Sequence, residues 1–467
     1  MLTIGSQLVI FFSTFASQNI GKTRTMNRKM FILLVINVFF VSMRAQRIPM
    51  SIERLFELCD ENSKELQLKE LEIDRAEQAL KVAKSNWSPS IDVSLSASYL
   101  GSGIVTDRNF SNLTNAGIPP FGNNLAIEAQ QVLYSGGAFS SQIKIAELGV
   151  RIAELARNDN RQAQHFLMVS NYLELYKLRN QIRVYEKNIE LTEQLLEDIK
   201  SKHGEGVALK NDITRYELQL QNIQLGLTVV QNAISIINHD MVVTLGLDEG
   251  TEIIPDTLLA VLPIVESEQK WQTDARQMNN AIRQAECSVN QGEAREKLVR
   301  SEMIPKIALF AANKFDGNIL IEVPTLNKNI DYWYAGIGVT YSLSSLYKSN
   351  RKLRKAQYET ECERERYGII CDQIEIAVNA AYTSYLESLS IYETRKTGVV
   401  LSNENYDVVS KRYLNDLALI SDMLDATMEK LNSELLLENA KANIYYNYLN
   451  YSLYYNYYKL KQLTNTL

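Results

Sequence analysis

Cysteine and histidine are scarce in this 467-residue sequence, which has four of the first and three of the second. None of the cysteines has CxxC spacing, so isolated thiols are expected rather than a disulfide framework. The histidines show no HExxH or paired ligand spacing, and the sequence contains neither a GxSxG element nor a phosphate-binding loop. We therefore predict no metal, no cofactor and no enzymatic activity. The residues concerned are Cys59, Cys287, Cys362, Cys371, His165, His203 and His239.

Long apolar runs are also missing, because no stretch of about 18 residues is free of charge and uniformly hydrophobic. With a mean hydropathy of −0.19, this argues against a helical membrane protein. A hydrophobic content of 46% nevertheless suffices for a core and excludes a disordered chain. If the chain spans a membrane at all, the remaining architecture is a β-barrel.

An excess of positive charge is absent as well. The sequence has 49 basic and 55 acidic side chains, and five of the bases fall in the first 45 residues, which hold no acid. The rest of the chain therefore carries a formal charge of −11, and a nucleic-acid partner is not expected.

The N-terminal 45 residues are predicted to be a leader. From Met26 a basic start is followed by mostly apolar residues 31–41 and then by small and polar residues ending near Ala45. This is the pattern of a secretory signal peptide, and its apolar part is too short to cross a membrane. Two origins stay open: translation starts at Met26, or the leader is extended. The mature protein would begin near Gln46, without a cysteine for lipid attachment.

The remaining chain repeats one order of predicted elements. Helical periodicity ends before a proline, two alternating strands follow, and then come a long helix and a shorter one. In the first half these are a helix over 51–86, strands over 91–99 and 125–134, and helices over 138–203 and 211–245. In the second half they are a helix over 271–301, strands over 307–311 and 333–343, and helices over 348–413 and 421–460. The predicted units are a first repeat over 46–247, a connector over 248–268 and a second repeat over 269–467.

The predicted hairpins, about 90–134 and 306–343, have strands of the length that spans a bilayer. Aromatic residues mark their ends, and longer loops join the two strands of each pair. A soluble sheet with one buried face would show the same alternation. Because four strands cannot close a barrel and an open edge cannot lie in lipid, a membrane barrel would need two, three or four copies, giving eight, twelve or sixteen strands. The aromatic residues are Tyr99, Tyr134, Tyr332, Trp333 and Tyr341.

The turn at 420–427, IleSerAspMetLeuAspAlaThr, resembles the second periplasmic turn of the TolC family of outer-membrane efflux proteins. Its counterpart in the first repeat is the segment from His203 to Asp212, and Pro89 and Pro305 fall where that family enters its strands. The resemblance extends over the whole mature chain. It implies α-helices combined with a membrane β-barrel: a homotrimer whose twelve-stranded barrel continues into a twelve-helix periplasmic tunnel, closed at the tip by the helical turns.

Asp422 and Asp425 are the first candidate site residues. Their spacing puts them about 60° apart on a helix, with Glu429 extending the stripe, while Leu424, Met428, Leu431 and Leu435 form a separate apolar stripe. In a symmetric oligomer each acid becomes a ring that favours cations. Alternatively, Asp422 stabilises the first turn of its own helix. The family resemblance implies that both aspartates form the constriction.

The resemblance also implies a latch at the tip between Tyr413 and Asp212, which would tie neighbouring coiled coils together. An arginine that contributes to this latch in the family is replaced by Ala418. The charged part of the latch is therefore not matched, and a weaker lock is expected. Eight tyrosines of the last helix are expected to pack within the middle of the tunnel rather than to form a membrane belt: Tyr445, Tyr446, Tyr448, Tyr451, Tyr454, Tyr455, Tyr457 and Tyr458.

The predicted function is a passive exit duct in the outer membrane of a Gram-negative bacterium, extending into the periplasm. By resemblance its partners are a periplasmic adaptor (a membrane fusion protein) and an inner-membrane transporter of the RND or ABC type. Drug efflux, metal-ion efflux and type I protein secretion are not separated by the sequence. A periplasmic or surface coiled-coil scaffold is the alternative from another class.

Overall fold

The computed structural model describes residues 47–256, 267–319, 326–415 and 417–452. The predicted leader, residues 257–266 of the connector and the end of the last helix lie outside these residues. The two halves of the chain repeat one order of helices and long strands. The first half consists of β1 (Arg47–Met50), α1 (Ile52–Asn62), α2 (Lys64–Ser85), β2 (Ser90–Tyr99), β3 (Ile104–Val105), β4 (Thr114–Asn115), β5 (Phe121–Tyr134), α3 (Ala138–Gly204) and α4 (Lys210–Thr244). The second consists of β6 (Glu252–Pro255), α5 (Glu268–Met278), α6 (Asn280–Ser301), β7 (Lys306–Ile319), β8 (Leu326–Thr340), α7 (Ser345–Leu414) and α8 (Ile420–Ser452).

The single helices predicted over 51–86 and 271–301 are wrong, because each is broken into two. Ser63 and Asn279 have extended backbone conformations and end one helix while capping the next. The Asn279 side chain accepts hydrogen bonds from the backbone N–H groups of Ala281 and Ile282, at 2.9 and 3.3 Å. Residues of this type satisfy the free N–H groups of a helix start. The two breaks occupy the same place in each repeat, since α1 matches α5 and α2 matches α6 in length.

A short parallel pairing between β1 and β6 was not predicted. It joins the start of the first repeat to the segment predicted as a connector. Glu252 accepts hydrogen bonds from Arg47 and Arg179, at 2.9 and 2.7 Å, which fixes the pair against α3. Beside it lies the largest apolar cluster of the described chain, which includes Leu55, Met168, Tyr172, Met241 and Tyr445.

The tyrosines of α8 that the structure describes pack against other helices, as predicted. Tyr445 is 6% exposed, Tyr446 lies 5.4 Å from the ring of Phe166, and Tyr448 lies 5.8 Å from that of Tyr385, measured between ring centroids. The side chains of the other five tyrosines lie outside the described residues. The four cysteines are free thiols, which confirms that prediction.

The long strands form one antiparallel sheet in the order β2–β5–β7–β8, so β2 and β8 are its edges. Three of the strands are longer than predicted: β5 begins at Phe121, β7 ends at Ile319 and β8 begins at Leu326. The additional residues are largely polar, which hid them from a search for alternating apolar residues.

The helices change neighbours along the length of α3. Close to the sheet, α3 packs against α2 and α6, and α7 packs against α6; further from the sheet, α3 packs against α4 and α8, and α7 against α8. The shorter helices thus succeed one another along the two long ones, α3 and α7. In the described part of the chain, no helix is sufficiently long and apolar to cross a membrane.

Candidate functional site: the two helical turns

The first turn joins α3 to α4 at the end of the helices that is remote from the sheet. Gly206 has φ +79°, the left-handed conformation that glycine adopts most readily, and this lets Val207 N–H donate back to Lys202 O at 2.9 Å. The Asp212 carboxylate then accepts from Leu209 N–H at 3.1 Å, so it caps the start of α4. His203 Nδ1 lies 2.7 Å from Ala208 O and closes the turn.

The second turn, between α7 and α8, repeats this geometry. Leu417 N–H donates to Arg412 O at 2.8 Å, and the Asp422 carboxylate accepts from Leu419 N–H at 3.0 Å. Each of these landmarks lies 210 residues after its counterpart, as the pairs Lys202 and Arg412, Leu209 and Leu419, and Asp212 and Asp422 show. The two turns are therefore structural equivalents at these positions.

An apolar cluster behind the turns holds them together. Tyr413 is 7% exposed, and Lys202 Nζ lies 4.7 Å from its ring centroid and 3.3 Å from its carbonyl oxygen. A second lysine, Lys430, lies 4.4 Å from the ring centroid of Tyr406. Such cation–π contacts add to the stability of a buried aromatic residue. The cluster comprises Leu195, Leu196, Ile199, Tyr216, Tyr406, Tyr413, Met423 and Leu424.

The structure places the predicted constriction residues Asp422 and Asp425 on the exposed side of α8, while Met423 and Leu424 are buried. The acids and the apolar residues thus occupy different faces, as the spacing indicates. One member of the predicted apolar stripe is misplaced, because Met428 is 45% exposed. Asp422 also caps its own helix, which is the alternative role for that residue. The Asp425 side chain forms no hydrogen bond or ion pair with any described residue. Whether the acids form a ring depends on the assembly.

The predicted latch residues are not paired with each other within one chain. The Asp212 carboxylate accepts a hydrogen bond from the backbone of Leu209, and Tyr413 is packed beside Lys202. A Tyr413 to Asp212 contact therefore stays a prediction for neighbouring chains. Ala418, at the position of the family's arginine, packs against the apolar cluster, as does its first-repeat equivalent Ala208.

The alignment of the two turns shows two equivalences that the sequence analysis missed. His203 is the first-repeat equivalent of Tyr413, and Arg215 is the equivalent of Asp425. The signal was present in the sequence, since ValAlaLeu before Asp212 matches LeuAlaLeu before Asp422 without a gap. Among the described residues, no group of three or more His, Cys, Asp or Glu side chains is arranged to hold a metal ion.

Comparison with known families tests these expectations. Residues 55–234, from α1 into α4, match the family model described as outer membrane efflux protein. This match bears out the predicted resemblance to that family, whose members are proteins of the outer membrane. The family's function is efflux, so a non-enzymatic role follows at the level of the family. No curated protein matches the chain in sequence.

Solved structures extend the likeness in fold over most of the chain. The outer-membrane channel OprN is similar with a TM-score of 0.73 at 16% identity, over 86% of this chain and 89% of its own. CusC, whose structures concern transmembrane channel formation, is similar with a TM-score of 0.73 at 12% identity, over 86% of this chain and 91% of its own. The outer membrane protein VceC of Vibrio cholerae is similar with a TM-score of 0.71 at 15% identity, over 86% of this chain and 95% of its own. These similarities show that the chain, across both of its repeats, has the same fold as these three proteins.

Proposed function

We propose that three copies of this outer membrane efflux protein form a passive exit duct, with a twelve-stranded membrane barrel above a twelve-helix periplasmic tunnel. A periplasmic adaptor and an inner-membrane transporter would open it from below. The single observation that carries the proposal is the four-stranded sheet, which has one apolar face, one polar face and two open edges.

The apolar face of the sheet is uncovered within the chain. Directly opposed residues of an antiparallel sheet point to the same side, so the register puts Val93, Ile127 and Trp333 on one face, with exposed fractions of 68%, 46% and 77%. A soluble protein rarely leaves an apolar patch of this extent in water. The same face also carries Ile91, Leu95, Leu125, Leu309, Ile337 and Val339, all of them exposed. A polar residue, Asn313, lies on this face in register between Ile127 and Trp333.

The opposite face is polar and internally bonded. Lys314 forms an ion pair with Glu128 at 2.8 Å, and Asp316 accepts hydrogen bonds from Asn124 and Tyr332. A sheet that is apolar on one side and polar on the other matches the wall of a water-filled barrel in lipid.

The two sheet edges favour closure by further copies. In lipid, the free N–H and C=O groups along β2 and β8 would cost several kcal/mol each, of the order of 2–7. Since β2 and β8 run in opposite directions, β8 of one copy can pair antiparallel with β2 of the next and close the barrel. Three copies give the twelve strands expected of the family.

The helices also expose surfaces suited to neighbouring copies. α4 carries a stripe of five aliphatic side chains at spacings of seven and four residues, with exposed fractions from 59% to 71%. Such spacing is typical of a coiled-coil seam, and α4 is the edge helix on one side of the chain while α7 is the edge on the other. We infer that α4 packs against α7 of the adjacent copy. The stripe is Leu218, Leu225, Val229, Ile236 and Val243.

At the tip, Asp422 and Asp425 would line the constriction, and Tyr413 with Asp212 would latch neighbouring coiled coils. The turns themselves expose Val207, Leu209, Leu417 and Leu419, with exposed fractions from 62% to 70%. These aliphatic ends are the surface that an adaptor would contact on opening. A wide duct needs no specific pocket, so drugs, metal ions and proteins are all compatible with it as cargo.

The test compares two neighbouring residues on opposite faces of β2. Val93→Lys places a charge on the proposed lipid face, where it costs about 2–4 kcal/mol near the bilayer centre. Ser94→Lys places the same charge on the proposed lumen face. We expect Val93→Lys to abolish the carbonate-resistant membrane fraction and the cross-linked trimer, and Ser94→Lys to retain both.

The scaffold alternative makes the opposite prediction for the same experiment. If the wild-type protein is washed from membranes by carbonate, or if both lysine variants behave alike, the sheet does not face lipid and the proposed duct is wrong.

A further inference from the structure

The equivalence of the two turns places opposite charges at matching positions. Arg215 follows Asp212 by three residues on α4, as Asp425 follows Asp422 on α8. Both aspartates cap their helices through the same backbone contact, at 3.1 and 3.0 Å, so the positions correspond in space as well as in sequence. We call the level of Asp212 and Asp422 the first layer of the tip, and the level of Arg215 and Asp425 the second. The first layer is acidic in both repeats, whereas the second is basic in the first repeat and acidic in the second.

Arg215 and Asp425 are both exposed, and neither forms an ion pair within the part of the chain that the structure describes. They also lie beside the contact between α4 and α8. Tyr216, next to Arg215, belongs to the same apolar cluster as Met423 and Leu424, and Gln219 donates a hydrogen bond to Met428. α4 and α8 therefore contact each other at this level of the tip, with Arg215 and Asp425 on the exposed sides.

We propose that Arg215 and Asp425 alternate around the closed tip and form a ring of ion pairs that helps to hold it shut. This rests on the proposed trimeric duct, in which each Arg215 would lie between the Asp425 of its own chain and that of the next. The acidic ring is then built by Asp212 and Asp422 together, about 4.5 Å from the mixed ring along the helix axis.

This arrangement accounts for a charged latch in a chain that has Ala418 where the family has an arginine. The charge is supplied from the first repeat instead. It also changes the expected selectivity, because the Asp425 layer is neutralised by Arg215, and the cation preference comes from the Asp212 and Asp422 layer. Exposed ion pairs weaken as salt screens them, so the closed state should loosen at high ionic strength.

The experiment measures single-channel conductance of the purified full chain in planar bilayers, at low and high salt. Each exposed ion pair shifts an equilibrium by about 1.4- to 5-fold, so the loss of three or more should raise the conductance by about 3-fold or more. We expect this rise in Arg215→Gln and in Asp425→Asn. The exchanged variant, Arg215→Asp with Asp425→Arg, should return to the wild-type conductance. Arg151→Gln, which removes an exposed arginine on α3 far from the tip, is the matched control and should leave the conductance unchanged.

A cross-linking measurement gives a readout independent of conductance. Arg215→Cys combined with Asp425→Cys, in a background with Cys362→Ser, should form a disulfide under mild oxidation, whereas either cysteine alone should not. If no cross-link forms, or if the exchanged variant conducts as much as the single variants, the ion-pair ring is wrong while the duct stands. If the wild-type protein neither inserts nor conducts, the proposed function itself fails.

Discussion

At the scale of single residues, the polar site around Asp60 is structural. Asp60 on α1 accepts hydrogen bonds from His165 Nε2 at 2.8 Å and from Arg161 Nε at 2.7 Å. His165 is fully buried, and its ring stacks on Phe56 with a centroid distance of 4.3 Å. A histidine with these partners positions α1 on α3. The sequence excluded a catalytic or metal role for it but could not show its partners, which lie about a hundred residues away.

This site predicts a change of stability with pH. Burial alone would raise the pKa of Asp60, but the hydrogen bonds from His165 and Arg161 outweigh burial and lower it to about 2. The ionised carboxylate therefore stabilises the fold above about pH 4, and this contribution is lost as the pH falls from about 4 to about 2. Because the group is only partly shielded from solvent, it contributes about 1 kcal/mol to the free energy of unfolding.

Asp60→Asn should lower the free energy of unfolding by about 1 kcal/mol at pH 7, and the difference from wild type should shrink below pH 4. Thermal unfolding of the purified protein at a series of pH values measures both. Glu57→Gln, which removes an exposed acid paired with Arg54 on the same helix, is the control and should change little. An equal loss for Asp60→Asn at pH 7 and pH 2.5 would contradict the account.

At the scale of elements, the repeat extends to the helix breaks. α1 and α5 have 11 residues each, α2 and α6 have 22 each, and Ser63 and Asn279 cap the second helix of each pair. The long helices were predictable because their periodicity continues without proline over more than sixty residues. The breaks were not, since a single Ser or Asn within a periodic segment is as compatible with an exposed helical position as with a cap.

The close packing of α6 on α7 gives a prediction at this scale. A Cβ atom added to Gly292 would lie 2.9 Å from Thr360 Oγ1 and 3.2 Å from Thr360 Cα, so the helices would have to separate. Gly292→Ala should therefore lower the free energy of unfolding by about 1–3 kcal/mol. Thermal unfolding measures this.

Gly368 on α7 provides the matched control, because a Cβ added there meets nothing within 4 Å. Gly368→Ala should raise stability by up to about 1 kcal/mol through helix propensity alone. Equal effects of the two substitutions would show that α6 and α7 are not in close contact at Gly292.

The two helical turns contain some residues that the sequence predicted and one that it did not. The acids at 422 and 425 were found through the family resemblance, and their exposure agrees with it. Arg215 was missed because the two turns were matched only as segments; a residue-by-residue alignment with a 210-residue offset reveals it. The pairing of β1 with β6 could not be predicted, since a four-residue strand far from its partner leaves no periodic signal.

At the scale of the whole molecule, the features that define function are surfaces left open by one chain. The apolar sheet face, the two strand edges and the aliphatic stripe of α4 lack a counterpart within the described chain. Periodicity indicates that such surfaces exist, but the number of copies that covers them follows from the family rather than from the sequence pattern. The account therefore depends on assembly more than on any single site.

Conductance in planar bilayers tests this central claim most directly. The purified full chain would be compared with the Asp422→Asn, Asp425→Asn double variant, with and without divalent cations. We predict that the wild-type protein gives a small, cation-preferring conductance that divalent cations block. The double variant should conduct more and show a weaker cation preference and a weaker block, because only the Asp212 carboxylates remain in the acidic layer. Protein that does not insert, and that carbonate removes from membranes, would contradict the account and favour a soluble scaffold.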